Sequence, residues 1–540
     1  MNDDGKGQTS PGSGPESGAI GVTRPGVMGD SRDGEGAGGR GDKAGASKGI
    51  AALLYDEDAL GLASLVRSGQ VSSAELLHAA IEQAETLNPR FNFLARDHYE
   101  FARSAIANGL PNGPLTGVPW LLKDLNTYVA GEVTGQGSRF YVDDRAAVTS
   151  EIVRRYQAAG LVIFGKTATP EFGLSATTEP LVGGATRNPW NPERSAGGSS
   201  GGAAAAVAAG VLPAAHATDG GGSIRMPASC CGLFGLKPSR GRTPMGPLLT
   251  EGWGGLSTHH AVTRSVRDSA ALLDAVQGPE PGSRYAAPTP PRPYLEEIGR
   301  RPRGLRIALM TAPTAGTPVD EECLAAVRAT ARLCESLGHH VEEAAPALDG
   351  EALARYAGVL PAASLCEELD LRAQLTGIPV SLDVVEPVTM GFYELGKSIV
   401  ATDWVKANNL FQRAVVEVAR FMQDYDLLLS PTLGSPPLRL GVLAPAPESF
   451  EAFFSAIMSY TAFTSLANQT GQPSMSVPLG MSKAGLPIGS MFAARYGDEA
   501  MLLRLAAQLE EAAPWAGRRP IDSCSSSGRK SASSTTGKGF

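Results

Sequence analysis

A chain of 540 residues with a formal net charge of −8 and no long Lys/Arg run is poorly suited to a polyanion, which argues against a nucleic-acid-binding surface. Hydrophobic residues make up 42% and charged residues 19%, the balance of a globular protein with a sizeable core. No run of about 18 apolar residues suggests a membrane span, and the N-terminus lacks the apolar stretch of a signal peptide.

In chain order, residues 1–48 are rich in Gly, Ser and Asp with few large apolar side chains, and read as a disordered tail. Gly36 to Gly41 matches GxGxxG, but no strand precedes it and no helix follows, so a dinucleotide site fails its context test. Helices are predicted over 56–67 and 72–87. The second has Leu76, Leu77, Ala80, Ile81 and Ala84 at helical spacing, a Ser72/Glu75 capping box at its start and Asn88-Pro89 at its end. A third short helix spans 99–108. The run Gly117 to Asp124 reads as a buried strand ending on Lys123 and Asp124. A lysine at a strand end is ordinarily a surface charge. This one follows an apolar run without polar alternation, so its stem can also be drawn inward, where desolvation would lower its pKa and make it a neutral base.

A helix over 147–159 followed by a strand over 161–165 suggests an α/β layer architecture. Residues 166–173 and 188–192 read as loops, leading into two Gly-Ser clusters, Gly197 to Gly202 and Gly220 to Ser223, separated by a segment of small residues. Beyond these, 248–260 reads as a Gly-rich loop and 264–276 as a helix. A strand–helix–strand unit runs from 305 to 343, and 350–425 is mostly helical. Further strands fall at 427–431, 474–478 and 488–492, with helices at 453–466 and 499–513. No linker or fixed-period repeat interrupts the middle of the chain, so one large domain over 49–516 is expected, followed by a Ser-rich disordered tail over 517–540.

Three chemistries compete for the glycine clusters. Gly197 to Gly201 matches GxSxG, but a nucleophile elbow needs a strand running into its serine, and Asn191 to Arg194 does not read as one. Phosphate binding lacks the GK[ST] ending, and no His/Cys/Asp/Glu cluster has metal-ligand spacing, so neither metal nor cofactor is expected. The third option is a serine activated by a neutral lysine through a second hydroxyl, with Lys123, Ser199 and Ser223 as the parts. Backbone N–H groups of Gly220, Gly221, Gly222 and Ser223 would then form an oxyanion hole. Tight turns and simple helix capping account for the same residues equally well on local grounds.

The motif set resembles that of the amidase signature family. Gly197 to Gly202, Thr218 to Pro227 and Cys231 to Pro238 are similar to its central stretch. Gly117 to Asp124, Gly165 to Thr167, Asn188 to Trp190 and Gly471 to Pro478 are similar to its flanking motifs. The resemblance implies a mixed β-sheet core flanked by helices on both faces. It also implies amide hydrolysis through an acyl-enzyme on Ser223, with Ser199 as the bridging serine after a cis peptide bond and Lys123 as the base. Residue 220 is Gly where many members carry a larger residue, which implies a more open oxyanion loop. Residues 185–191, 238–242 and 471–520 are similar to the 6-aminohexanoate-cyclic-dimer hydrolase branch, which implies a linear or cyclic small-molecule amide as substrate. The subunit that releases ammonia for tRNA-dependent amidation is the other family role considered.

The six cysteines form no CxxC pair, and Cys230-Cys231 lies in an apolar run, which suggests buried free thiols and a cytoplasmic setting. A monomer and a homodimer both fit this reading.

Overall fold

The computed structural model describes residues 49–249 and 251–520. The tail expected over 1–48, and residues 521–540 of the one expected over 517–540, lie outside them. Thirteen strands are assigned among the described residues: β1 Leu94–Asp97, β2 Pro119–Lys123, β3 Val162–Thr167, β4 Arg187–Asn188, β5 Asn191–Ser195, β6 Ala214–Asp219, β7 Phe234–Lys237, β8 Thr258–Thr263, β9 Arg306–Leu309, β10 His340–Glu343, β11 Leu427–Pro431, β12 Ser474–Met481 and β13 Pro487–Ala493. Eight of them form one mixed sheet in the order β10-β9-β11-β13-β12-β7-β8-β6. In it β9 pairs parallel with β10 and β11, and the remaining neighbours are antiparallel. A second sheet has the order β1-β3-β2, with β2 and β3 parallel.

Side-chain alternation shows why the large sheet needs helices on both sides. Ile307, Leu309, Leu427, Leu429 and Phe492 enter one apolar cluster with helices Val266–Val276, Glu321–Ser336 and Glu499–Ala512. Their neighbours Ala308, Leu428, Met491 and Ala493 enter another with helix Ala401–Phe421. Successive residues of a strand point to opposite faces, so a strand covered on both faces is apolar without a break. The sheet is thus a mixed core flanked by helices.

The Ser72/Glu75 capping box forms: the Ser72 N–H donates to Glu75 Oε2 at 2.8 Å, and the Glu75 N–H to Ser72 Oγ at 3.2 Å. Other boundaries differ from expectation. Residues 49–56 are helical, and a separate helix Ala59–Arg67 starts after Asp58, whose carboxylate accepts from the Gly61 N–H at 2.8 Å. The helix expected to stop at Asn88-Pro89 runs to Phe91, because Asn92 takes a left-handed conformation and its N–H closes on Asn88 O at 2.7 Å. Residues 166–167 extend β3, and residues 258–260 begin β8 where a loop was expected.

Asn191–Ser195 is a strand, contrary to the reading that excluded one, since it pairs with Arg187–Asn188 in a small hairpin. Its geometry still departs from an elbow. The strand ends at Ser195, and Ala196, Gly197 with φ +81° and Gly198 intervene before Ser199. At the far end the fold reaches beyond residue 516. Arg518 donates to the carbonyls of Pro478 and Leu479, at 2.6 and 3.2 Å.

Candidate active site

The end of β2 delivers Lys123 into the interior. Pro119–Lys123 is buried throughout, and Lys123 has no exposed surface. β2 lies beside β6, and the two are tied by side chains: the Lys123 N–H donates to His216 Nδ1 at 3.2 Å. Lys123 Nζ sits 2.6 Å from Ser199 Oγ and 2.8 Å from Thr218 Oγ1. Burial pushes the Lys123 pKa well below the ordinary lysine value, and the Asp219 carboxylate only partly opposes this. Among the described residues no carboxylate contacts the amine, so its surroundings favour the neutral form.

Ser199 lies in a loop pinned on both sides. The Gly198–Ser199 peptide bond is cis. Thr178 Oγ1 donates to Gly197 O at 2.9 Å and accepts from the Gly201 N–H at 3.1 Å. Ser200 Oγ donates to Thr218 O at 3.2 Å, and the Thr218 N–H donates back to it at 3.3 Å. A side chain at Gly198 would place a Cβ 2.5 Å from Thr177 O, which explains the glycine there. The helix Gly201–Ala208 follows, and its small residues are all buried.

Ser223 sits on the turn after β6, and this turn is organised by one carboxylate. Asp219 Oδ1 accepts from the Gly222 N–H at 2.7 Å, from Arg225 Nη2 at 3.0 Å and from Asn468 Nδ2 at 2.8 Å. Asp219 Oδ2 accepts from the Ile224 N–H at 3.1 Å and from Arg225 Nε at 3.0 Å. Both side chains of the ion pair are fully buried. Burial alone would raise the Asp219 pKa. The Arg225 guanidinium, Lys237 and the Asn468 amide outweigh it and hold the carboxyl well below the usual range.

Two consequences follow for the expected oxyanion donors. The Gly222 N–H is committed to Asp219 and does not face a ligand, a correction to the set of four. The N–H groups of Gly220, Gly221 and Ser223 meet no acceptor among the described residues. The absence of a side chain at residue 220 does not open the loop either. Trp253 occupies the space, and a Cβ on Gly220 would lie 2.8 Å from its ring.

Two cavities meet at Ser223. One of about 710 Å³ is lined by Ser199, Thr218, Gly220, Ser223, Thr258, His259 and the acidic residues Asp144, Glu251, Glu367 and Glu368. The other, about 110 Å³, is apolar, with Leu174, Met226, Leu256, Phe392, Phe454 and Ile457 among its walls. Gly220, Ser223 and Trp253 border both. Ser199 and Ser223 therefore open on a common space with Lys123 directly behind Ser199.

Sequence reasoning missed several supports of this arrangement. Asn468 is a buried helical residue that bonds Asp219 and the carbonyl of Leu256. Arg225 and Asp219 stand six residues apart in the motif, a spacing that hints at a local ion pair. His216 and Asn468 carry no comparable signal, because their partners are distant in sequence.

A buried lysine beside a serine, a glycine-rich turn with unpartnered N–H groups and a helix-flanked mixed sheet define an amide hydrolase of the amidase type. The chain belongs to the amidase signature family: the family model described as Amidase matches residues 75–503. It is a hydrolase acting on amide C–N bonds. It is 40% identical over 476 residues to the 6-aminohexanoate-cyclic-dimer hydrolase of Paenarthrobacter ureafaciens, covering 86% of this chain and 96% of that one. The solved structure of a 6-aminohexanoate cyclic dimer hydrolase complexed with substrate superposes with a TM-score of 0.82 at 39% identity, covering 86% of this chain and 98% of that one. A bacterial aryl acylamidase of the same family superposes with a TM-score of 0.79 at 27% identity, over 87% of this chain and 100% of that one.

Proposed function

We propose that the protein hydrolyses a small-molecule amide through an acyl-enzyme on Ser223, with Ser199 as proton relay and Lys123 as base. The observation that carries this reading is the 2.6 Å approach of a fully buried, carboxylate-free lysine amine to Ser199 Oγ. A hydroxyl is a weak nucleophile until a base takes its proton, and a desolvated lysine is such a base.

In the acylation step, Ser199 Oγ–H gives its proton to neutral Lys123 Nζ and takes the proton of Ser223 Oγ. The Ser223 oxygen bonds to the substrate carbonyl carbon, and the carbonyl π electrons move to oxygen. The N–H groups of Gly220, Gly221 and Ser223 donate to that oxyanion. Collapse breaks the C–N bond, and the proton held on Lys123 returns through Ser199 to the departing nitrogen. Water then cleaves the acyl ester by the same relay run with water in place of Ser223.

Likeness to cyclic-dimer hydrolases favours a linear or cyclic amide built on an aliphatic chain. The apolar side cavity and the larger polar one suit the two halves of such a molecule. The test is covalent labelling with a fluorophosphonate, with the modified peptide containing Ser223 and no turnover of any amide by Ser223→Ala. Full activity in that variant would assign the nucleophile elsewhere.

A further inference from the structure

The two cavities that meet at Ser223 are not equivalent for the reaction. Ser199 lines the larger one and is absent from the walls of the smaller. In the relay described above, Ser199 passes a proton to the departing nitrogen, and that transfer needs the two groups within hydrogen-bond reach. The amine half of the substrate therefore lies in the larger cavity, and the acyl half turns toward the smaller. No ionisable side chain is found among the lining residues of the smaller cavity, whose walls include Phe392, Phe454 and Ile457 from helices Pro387–Ser398 and Phe450–Tyr460. A charge on the acyl half would lose its hydration there without gaining a partner.

One wall of the larger cavity is a face of helix Val359–Thr376, on which Ser364, Glu368, Leu371 and Leu375 recur at helical spacing. Leu371 and Leu375 are exposed, so the cavity opens to solvent along this face. Glu368, one turn further in, is partly buried and has no counter-ion. Gln136 Nε2 donates to its Oε1 at 2.7 Å, and the Tyr141 hydroxyl is a second hydrogen-bonding neighbour. Among the described residues no Lys, Arg or His pairs with it. The cations nearby are engaged elsewhere. Arg372 pairs with Asp144 and donates to Phe140 O at 3.1 Å, and Arg284 Nη1 donates to Glu251 Oε1 at 2.8 Å. Burial and the neighbouring Glu367 and Asp144 carboxylates push the Glu368 carboxyl up to about 7, as befits an acid that lacks a cation. The field in this cavity favours a positive group on a ligand and disfavours a negative one.

We infer that the amine half of the substrate occupies the larger cavity with a cation set against Glu368, so that the preferred substrates are amides of an uncharged acyl group with an amine that bears a second, positively charged nitrogen. This rests on Ser223 as the acylated residue and Ser199 as the relay.

The experiment compares four amides of similar length, reading product release by chromatography. N-hexanoylcadaverine carries a cation on the amine half, N-hexanoyl-hexylamine is neutral, N-hexanoyl-6-aminohexanoate carries an anion on the amine half, and 6-aminohexanoyl-hexylamine carries its cation on the acyl half. Wild type is expected to favour the first over the third by about tenfold or more in kcat/KM, the scale of one charge-assisted hydrogen bond. The amide with its cation on the acyl half should be slower than the neutral one. Glu368→Gln, which can still accept from Gln136, should cut the cation-to-anion ratio by about fivefold or more, and Glu368→Asp should retain part of it. In wild type the preference should persist at about 1 M salt, where a Debye length of about 3 Å suppresses a diffuse surface field but not a partly buried pair. This measurement carries the test alone should Glu368→Gln not fold. A purely structural role moves all four substrates by the same factor in Glu368→Gln, and that result overturns the pairing, as does a wild-type preference that vanishes in salt. Faster turnover of the acyl-half cation than of the neutral amide overturns the orientation. Failure of the acyl-enzyme reading is seen separately, as turnover surviving in Ser223→Ala.

Discussion

Replacing Asp219 with Asn tests whether one buried carboxylate holds the turn that carries Ser223. Five donors converge on it, from Gly222, Ile224, Arg225 twice and Asn468. An asparagine keeps one acceptor oxygen and presents an NH₂ group at the other position, so at least two of these donors would face a donor. Arg225, fully buried, would lose its counter-charge. Removing one partner of a buried ion pair costs about 3–5 kcal/mol, because the other charge is left uncompensated. The individual bonds are not additive on top of that figure. The same change frees Gly222 and Ile224 from their anchor on either side of Ser223. Displacement of an oxyanion donor lowers kcat by about 10²–10³. Denaturation midpoints followed by tryptophan fluorescence, read beside initial rates of ammonia release, measure both effects. Midpoints are preferable to extrapolated free energies for a chain this long, where two-state unfolding is not assured. The pH dependence has a definite sign. A carboxyl with a lowered pKa contributes its stabilisation above the unfolded aspartate value of about 3.9 and loses it as pH falls through the lowered folded value. The stability gap between wild type and Asp219→Asn should therefore be level above about pH 4 and close only below it. A variant within about 0.5 kcal/mol of wild type and with unchanged kcat would refute the carboxylate as organiser of the turn.

Lys123→Arg puts a permanently charged group beside Ser199, and Lys123→Ala removes the base. Each should lower kcat by about 10³ or more, and a tenfold loss or less in either would contradict the relay. Because burial lowers the Lys123 pKa, the wild-type rate should rise with pH as the last protonated fraction is lost and then level off, at a pH well below the ordinary lysine range. Gly220→Ala places a methyl 2.8 Å from the Trp253 ring, so the ring must move. A loss of about tenfold in kcat/KM is expected, the cost of a modest misplacement near the reacting atoms, with partial recovery in Gly220→Ala/Trp253→Leu. Equal activity in all three proteins would mean that Trp253 does not shape the site.

How far the site can be read from sequence depends on where each group finds its partner. Lys123 is legible because Pro119–Lys123 is apolar up to the lysine, a pattern that fits a strand entering the interior. The glycines at 198 and 222 are legible because the Thr177 and Ser175 carbonyls at the first, and the Thr464 side chain at the second, leave no room for a Cβ. The strands that bear the rest of the site are not. Ala214–Asp219 and Thr258–Thr263 are buried at every position, yet His216, Thr218, Asp219, Thr258, His259, His260 and Thr263 make them half polar. Neither hydropathy nor alternation marks such a segment as a strand. Its strand character comes from pairing with its partner, in which Thr218 stands opposite His259 and Asp219 opposite Thr258. The polar side chains of Thr218 and Asp219 are admitted to the interior because Lys123, Arg225 and Asn468 reach them from three other parts of the chain. A buried site needs polar groups where a plain core would have apolar ones, so local pattern fails at the segments that carry the chemistry.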